Sequence, residues 1–198
     1  MVATIQRRSL SHAAATTERY RIGMWVALAS ILMLFTALTS AYIVRAASAN
    51  DWRPIAMPGV LWLSTTLILI SSAAIELAKR KLKTGFESSY RKWLLLTTAL
   101  GFGFLLTQLL AWRQLVGQGV YVTSHPHSSF FYLLTATHGV HLLGGLLALI
   151  YVVLRTRKTE NNDQVRAKRR AAAGAVTLYW HFMDALWIYL FVLLFFWR

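Results

Sequence analysis

Five long apolar runs limit the fold of this 198-residue chain more than any other feature. A helical span needs roughly 20 apolar residues to cross a bilayer, and each run is about that long. Lipid offers the backbone no hydrogen-bond partner, so a single span inside it must be helical. The sequence therefore predicts an all-α, polytopic membrane protein, a bundle of five transmembrane helices. The expected spans are residues 22–44, 60–78, 93–115, 130–154 and 171–197, which together form one transmembrane domain, residues 22–198, after an N-terminal tail, residues 1–21.

The distribution of basic residues predicts the orientation of these spans. The tail and the loops after the second and fourth spans hold 4, 6 and 7 Lys and Arg residues, which makes 17 of the chain's 21. Loops rich in Lys and Arg stay on the cytoplasmic side. We therefore expect the N-terminus inside, with a cytoplasmic tail, and the C-terminus outside. The net charge of +14 is explained in this way, and nucleic acid is not an expected partner.

Several classes of chemistry are excluded by composition. The chain has no cysteine, which rules out disulfides, thiolate metal sites and a copper centre with cysteine ligands. The sequence has no serine-protease-like triad, phosphate-binding loop or HExxH motif. The expected membrane histidines are His138, His141 and His181, which are too few to hold a set of haem and copper centres. We expect no catalytic, cofactor-binding or metal-binding residues in this chain.

The last span contains the stretch Tyr179–Trp187, in which ionisable residues occur within an otherwise lipid-soluble segment. Such residues are costly in a membrane and indicate function or a specific polar contact. His181 and Asp184 are three residues apart, so they share one helix face and can touch. The favoured interpretation is a buried His–Asp hydrogen bond that holds helices together. The tryptophans Trp180 and Trp187 flank this pair.

Other polar residues in the spans leave alternatives open. Glu76 either pairs with the basic run Lys79-Arg80-Lys81 or faces inward. His138 and His141, three residues apart in the fourth span, could join Glu76 and the His181–Asp184 stretch in a proton relay. A haem held between two histidines is a further possibility. The segment 125–127, His-Pro-His, could bind a metal only weakly, and a solvated turn is expected there.

Two motifs together resemble a known family. Tyr179–Trp187, which reads YWHFMDALW, resembles the C-terminal signature of subunit III of haem–copper respiratory oxidases. Phe131–Gly145 resembles that family's helix with His-Gly-x-His and a following glycine. Arg21–Trp25 fits the entry to its first shared helix. The resemblance covers residues 21–198 and fits the short, five-helix bacterial version of the subunit.

The resemblance implies a non-catalytic accessory subunit of a cytochrome c or quinol oxidase, the terminal enzyme of aerobic electron transport, in the bacterial inner membrane. Haem and copper would lie in the partner subunits. The implied partners are the catalytic subunit I, which it would stabilise, subunit II, and membrane lipids held in a cleft between the first two shared helices and the rest. Support of proton uptake is also implied, and buried polar or structural roles are expected for Glu76, His138, His141, Trp180, His181, Asp184 and Trp187.

One departure from the family pattern affects these expectations. Where the family commonly has a serine followed by a buried glutamate, this chain has Ser30-Ile31. Any role that depends on that glutamate is therefore not carried over. Two alternatives remain open: an accessory subunit of a nitric oxide reductase-type complex, and a small proton or ion transporter that uses Glu76, the membrane histidines and Asp184.

Overall fold

The structure is a computed structural model that describes residues 2–48, 52, 55–84, 86–155 and 163–197, and it consists of five helices joined by short connections. No strand occurs in these ranges. The helices are α1 (Val2–Ser48), α2 (Val60–Lys83), α3 (Glu87–Gly117), α4 (Pro126–Arg155) and α5 (Asp163–Phe196). Each contains a segment long and apolar enough to cross a membrane. The prediction of an all-α protein with five spans is confirmed.

The helices run beyond the apolar spans, mostly at the ends that carry the basic residues. α1 includes nearly all of the N-terminal tail sequence, and α2 continues through Arg80, Lys81 and Lys83. These cations lie in the last turn of α2, where the partial negative charge of the helix C-terminus favours them. At the opposite end, the turn between α3 and α4 contains Gly119 at φ +77°, a conformation that favours glycine.

The helices α4 and α5 form the middle of the bundle. α5 packs against α1, α2 and α4, while α4 packs against α1, α3 and α5. α2 and α3 form an antiparallel hairpin and make the most extensive helix contact in the molecule. α1 and α2 do not contact each other along the described parts of these helices. The expected cleft between the first two helices and the rest is therefore wrong, because α2 packs against α3 and α5, and α1 packs against α4 and α5 without contacting α2.

Large apolar side chains are exposed on the outer face of every helix. Examples from α1 to α5 are Met33, Leu63, Leu106, Leu147 and Phe196, which are 74%, 54%, 62%, 67% and 77% exposed. A protein in water would hide most of this surface, but hydrocarbon tails solvate it without cost. The core in turn contains several polar side chains, so the helices are held together partly by polar contacts.

The segment His125-Pro126-His127 corrects one sequence-based expectation. It is not a solvated turn, because Pro126 starts α4 and the His127 side chain is fully buried. His127 Nδ1 accepts a hydrogen bond of 3.1 Å from the backbone N–H of Ile55 in the α1–α2 connection. Proline is common at the first position of a helix, where no N–H is needed. That preference was the available signal that the helix begins at Pro126.

Candidate functional site

The side chain of Trp180 lies at the centre of the bundle and contacts three other helices. It is fully buried. Its ring lies close to Gly101 of α3 and Gly145 of α4. A Cβ added at Gly101 would lie 2.8 Å from a ring carbon, and one added at Gly145 would lie 3.4 Å from another. Trp180 Nε1 donates a hydrogen bond of 3.0 Å to Ser71 Oγ of α2. Ser71 Oγ in turn donates to the Thr97 carbonyl of α3 at 3.3 Å.

Trp187, two turns further along α5, makes a second connection of the same kind. Its Nε1 donates to Thr65 Oγ1 of α2 at 3.1 Å. Its ring centroid lies 4.9 Å from that of Phe104 in α3 and 5.3 Å from that of His138 in α4. Both indoles therefore have an apolar ring buried between helices and an N–H that finds a hydroxyl acceptor, as buried tryptophans require.

His181 bonds to α2 rather than to Asp184. His181 Nδ1 lies 2.7 Å from Ser72 Oγ, and His181 Nε2 lies 3.7 Å from Glu76 Oε2. Glu76 Oε2 also accepts a hydrogen bond of 3.2 Å from Lys79, so the carboxylate contacts both the histidine and the basic end of α2. His181 and Glu76 are 38% and 37% exposed, so this group reaches the surface of the chain. The contact with Lys79 matches the pairing of Glu76 with the basic run, whereas an inward-facing role for this partly exposed side chain stays a prediction.

Asp184 is buried without a hydrogen bond, which corrects the expected His181–Asp184 pair. The residue is 3% exposed, and neither carboxylate oxygen has a hydrogen-bond partner among the described residues. The Ser72 side chain is close enough to interact with it, but outside hydrogen-bonding geometry. The spacing of three residues allowed His181 and Asp184 to meet. His181 instead forms a hydrogen bond with the hydroxyl of Ser72 on the neighbouring helix α2.

The two histidines of α4 have different surroundings. His138 is fully buried, neither of its ring nitrogens has a hydrogen-bond partner among the described residues, and it is enclosed by the rings of Phe35, Phe104 and Trp187. His141 is partly exposed and its Nδ1 lies 2.8 Å from the Thr137 carbonyl, which can only accept, so Nδ1 carries the proton. Three of the seven expected site residues, Glu76, His141 and His181, are thus partly exposed, and Trp180, Trp187, His138 and Asp184 are buried.

Sequence reasoning missed several polar contacts between helices. Gln108 Nε2 donates to Ser64 Oγ at 3.0 Å, which joins α3 to α2. Trp112 Nε1 donates to Thr135 Oγ1 at 3.2 Å, which joins α3 to α4. Tyr179 donates from its hydroxyl to the His141 carbonyl at 2.8 Å, which joins α5 to α4. Single polar residues in apolar spans were the available signal, but their partners lie on other helices and cannot be read from spacing.

The arrangement is a set of cross-helix contacts rather than an open reaction centre. No group of three or more His, Cys, Asp or Glu side chains suitable for a metal ion occurs in the part of the chain that the structure describes. Four side chains of α5 bond to hydroxyls of α2 or to a carbonyl of α4: Tyr179, Trp180, His181 and Trp187. The fold and this centre define a class: a multi-pass helical membrane protein whose polar motifs connect its helices.

Comparison with known proteins gives the family. Residues 3–198 match the family described as cytochrome c oxidase subunit III. A probable cytochrome c oxidase subunit 3 of Mycobacterium bovis is 33% identical over 181 residues, which cover 89% of this chain and 87% of the relative. The cytochrome c oxidase subunit 3 of Thermostichus vulcanus is 30% identical over 190 residues, covering 94% and 92%. That of Bacillus sp. (strain PS3) is 30% identical over 179 residues, covering 88% and 84%.

The chain belongs to the cytochrome c oxidase subunit III family. Family membership makes it an accessory subunit of a respiratory haem–copper oxidase. The resemblance seen in the Tyr179–Trp187 and Phe131–Gly145 motifs is thereby confirmed, and it extends over nearly the whole chain. Both motifs meet in the structure, because Trp180 of the first packs on Gly145 of the second.

Replacing Gly101 by alanine tests whether the close approach of Trp180 matters for stability. The new Cβ would lie 2.8 Å from a carbon of the rigid indole, so the ring must shift. The buried indole is held by its hydrogen bond to Ser71, so it can shift only at the expense of that contact. Overpacking of this kind costs about 1–3 kcal/mol and outweighs the gain of about 1 kcal/mol from the better helix propensity of alanine. We expect Gly101→Ala to lower the free energy of unfolding, measured by titrating the detergent-solubilised chain with a denaturing detergent.

Gly103→Ala is the matched control for this variant. Gly103 lies on the same helix, but a Cβ there would make an ordinary contact of 3.6 Å with Leu67. We expect Gly103→Ala to keep the free energy of unfolding unchanged or to raise it by up to about 1 kcal/mol. Equal effects of the two substitutions would show that the contact between Trp180 and Gly101 does not limit the packing of the bundle.

Proposed function

We propose that this chain is subunit III of a bacterial terminal oxidase, where it stabilises the catalytic subunit without carrying a redox centre. The observation that carries the proposal is the contact between the two family motifs at Trp180, which joins α2, α3, α4 and α5. Residues that tie four helices together serve the shape of the subunit. A defined shape is what a catalytic subunit in the same membrane needs to pack against.

The membrane histidines that the structure describes do not fit haem or copper. His138 is enclosed by three aromatic rings, whose centroids lie 5.3–6.4 Å from its own. His181 contacts Ser72 and Glu76 of α2, so the two histidines face different neighbours. A bis-histidine haem needs two such ligands facing one cavity, and soft copper sites favour cysteine or methionine ligands. This supports the assignment of the haem and copper centres to the partner subunits.

The proposed partners are the catalytic subunit I and subunit II of the oxidase, in the inner membrane of a bacterium. The relatives named above come from bacteria, and their names describe an oxidase subunit. The exposed apolar faces of all five helices offer surface both to neighbouring subunits and to lipid. Only packing and cross-helix polar contacts can hold such subunits together in lipid, since the apolar surface gains nothing there by leaving water.

Purification of the tagged full-length chain from its native membranes tests this proposal. We expect haem-bearing subunits to be retained, with a visible haem absorption band and oxygen consumption supported by cytochrome c or quinol. An untagged strain carried through the same purification is the control. A haem-free, self-assembled oligomer that conducts protons after reconstitution would contradict the proposal and favour a transporter. A retained complex that reduces nitric oxide and not oxygen would place the chain in a nitric oxide reductase.

We also propose the orientation that the basic residues favour, with residues 1–21 as a cytoplasmic segment and the C-terminus outside. The last turn of α2 carries Arg80, Lys81 and Lys83, and α5 begins with a basic stretch, residues 166–170. Successive spans cross the membrane in alternating directions, so the end of α2 and the start of α5, which follows the end of α4, lie on the same side of the bundle. Positive charge on that side favours the cytoplasm by about 1 kcal/mol per residue near an anionic lipid surface.

Reporter fusions test the orientation. Alkaline phosphatase, which is active only outside the cytoplasm, is expected to be active when fused after Arg198 and inactive when fused at Glu160, between α4 and α5. A cytoplasmic fluorescent reporter at the same two positions is the control and is expected to give the opposite pattern. Phosphatase activity at residue 160 alone would reverse the proposed topology.

We further propose that any support of proton uptake by this subunit runs through Glu76 and His181. Ile31 stands where the family commonly has a glutamate, and it is buried in the apolar core. The segment Ile22–Ser48 of α1 contains no Asp or Glu. Glu76 and His181, by contrast, lie 3.7 Å apart, are partly exposed, and sit toward the basic end of α2. Groups so placed can exchange protons with the aqueous side or with a neighbouring subunit.

The variant Glu76→Gln tests this role in the purified complex. The substitution removes the carboxylate and keeps the shape of the side chain, so we expect slower proton uptake during turnover at unchanged haem content. Asp184→Asn is the matched control, because Asp184 is a buried carboxyl of the same chain with no exposed oxygen. Proton uptake that is unaffected by Glu76→Gln, or slowed as much by the control, would contradict the proposal.

A further inference from the structure

Two side chains of α2, one helical turn apart, lie next to the two ring nitrogens of His181. Ser72 and Glu76 are four residues apart, so they share one face of α2. Ser72 Oγ lies 2.7 Å from His181 Nδ1, and Glu76 Oε2 lies 3.7 Å from His181 Nε2. The imidazole is thus placed between a hydroxyl and a carboxylate. Unlike the other two residues, Ser72 does not titrate in the physiological range, so any contribution it makes acts through the histidine.

The carboxylate and the hydroxyl together determine which ring nitrogen carries the hydrogen. A neutral histidine has one N–H donor and one acceptor nitrogen. Glu76, which pairs with Lys79, can only accept as a carboxylate, so it favours the N–H on the nearer nitrogen, Nε2. At 3.7 Å this contact is too long for a hydrogen bond and does not fix the ring alone. The 2.7 Å contact does, and Nδ1 must then accept while the Ser72 hydroxyl donates.

The hydroxyl of Ser72 is directed at His181 rather than at its own helix. Many serines and threonines of the bundle donate to the carbonyl four residues earlier, as Ser30 and Thr98 do. In the described structure the hydrogen-bond partner of Ser72 is instead His181 Nδ1. The carboxyl of Asp184 lies close to Ser72 but outside hydrogen-bonding geometry. The serine is therefore a donor to the histidine and not to the neighbouring acid.

We propose that Ser72 is a positioning residue, which holds neutral His181 in the tautomer with its N–H on Nε2, directed at Glu76. In this tautomer the carboxylate has donors on two sides, Lys79 and His181, and is held between them. The other tautomer would turn a lone pair of Nε2 towards the carboxylate and repel it. The effect on proton uptake rests on the function proposed above for Glu76 and His181, whereas the tautomer itself does not depend on that function.

His141 has the opposite arrangement and provides a reference within the same chain. Its Nδ1 lies 2.8 Å from the carbonyl of Thr137, which can only accept, so its N–H is on Nδ1. A hydroxyl, in contrast, can donate or accept, so the contact between Ser72 and His181 can persist when the ring takes up a proton. The backbone fixes the tautomer of His141, and a replaceable side chain fixes that of His181.

Nitrogen-15 NMR of the full chain, labelled at its histidine rings and reconstituted in lipid nanodiscs, measures both tautomers. A protonated ring nitrogen and an unprotonated one give well-separated signals, and the loss of signals in His181→Gln and His141→Gln assigns them. At alkaline pH, where histidine is neutral, we expect the N–H of His181 on Nε2 and that of His141 on Nδ1. An N–H on Nδ1 of His181 would overturn the proposal, because Ser72 would then be the acceptor.

Three variants of the adjacent serines test the cause of this tautomer. Ser72→Ala removes the donor, so we expect the ratio of the Nε2–H to the Nδ1–H form of His181 to fall about two- to tenfold, the effect of losing one hydrogen bond. Ser72→Thr keeps a hydroxyl and is expected to restore the ratio. Ser71→Ala is the matched control, because Ser71 also bonds to α5, but at Trp180 Nε1. An unchanged ratio in Ser72→Ala, or an equal fall in Ser71→Ala, would contradict the positioning role.

Proton uptake by the purified complex separates this proposal from the function on which it rests. If Glu76 and His181 support proton uptake, Ser72→Ala is expected to slow it at unchanged haem content, and Ser72→Thr to restore it. A changed tautomer ratio with normal uptake would support the positioning role and refute the proton role of Glu76 and His181. Slower uptake with an unchanged ratio would refute the positioning role. The tautomer of the unaltered chain decides the question even where Ser72→Ala fails to accumulate.

Discussion

The indole of Trp180 is the contact on which the arrangement of the helices depends. Its ring fits between Gly101 and Gly145, and its N–H bonds to Ser71, so one side chain sets the distances of α3, α4 and α2 from α5. In lipid there is no gain from hiding apolar surface, and helices associate through close packing and polar contacts. Here the two glycines allow the close packing, and the Ser71 hydroxyl provides the polar contact at the same place in the bundle.

The polar side chains of the spans follow from this constraint. A polar contact between membrane helices contributes only about 0.6 kcal/mol on average, so no single bond holds the bundle. Several act together: α2 receives bonds from Trp187 and Gln108, and α4 receives one from Tyr179. Close packing of Trp180 on Gly101 and Gly145 adds to the stabilisation that these hydrogen bonds provide. A bundle held by several cross-helix hydrogen bonds is suited to an accessory subunit, which has to present a constant surface to its partners.

Two regions near opposite ends of the bundle remain open to the surroundings. Near the basic ends, Glu76 and His181 form a partly exposed pair that can meet water or a neighbouring subunit. At the other end, a groove between α3 and α4 is lined by Arg113 and by apolar side chains. Between them several buried polar side chains bond across helices, whereas His138 and Asp184 have no hydrogen bond among the described residues.

The sequence by itself determined the all-α class, the five spans and the family, because apolar length and two local motifs encode them. The sequence also identified the stretch Tyr179–Trp187, because its ionisable residues are energetically costly in lipid. Only the tertiary structure decided the partners within it. Local spacing allowed His181 to meet Asp184, yet His181 bonds to Ser72, 109 positions away, because α5 packs beside α2. His127 is buried for the same reason, since the α1–α2 connection folds onto it. Which helices become neighbours is fixed by packing across the whole bundle, and spacing along one helix carries no record of it.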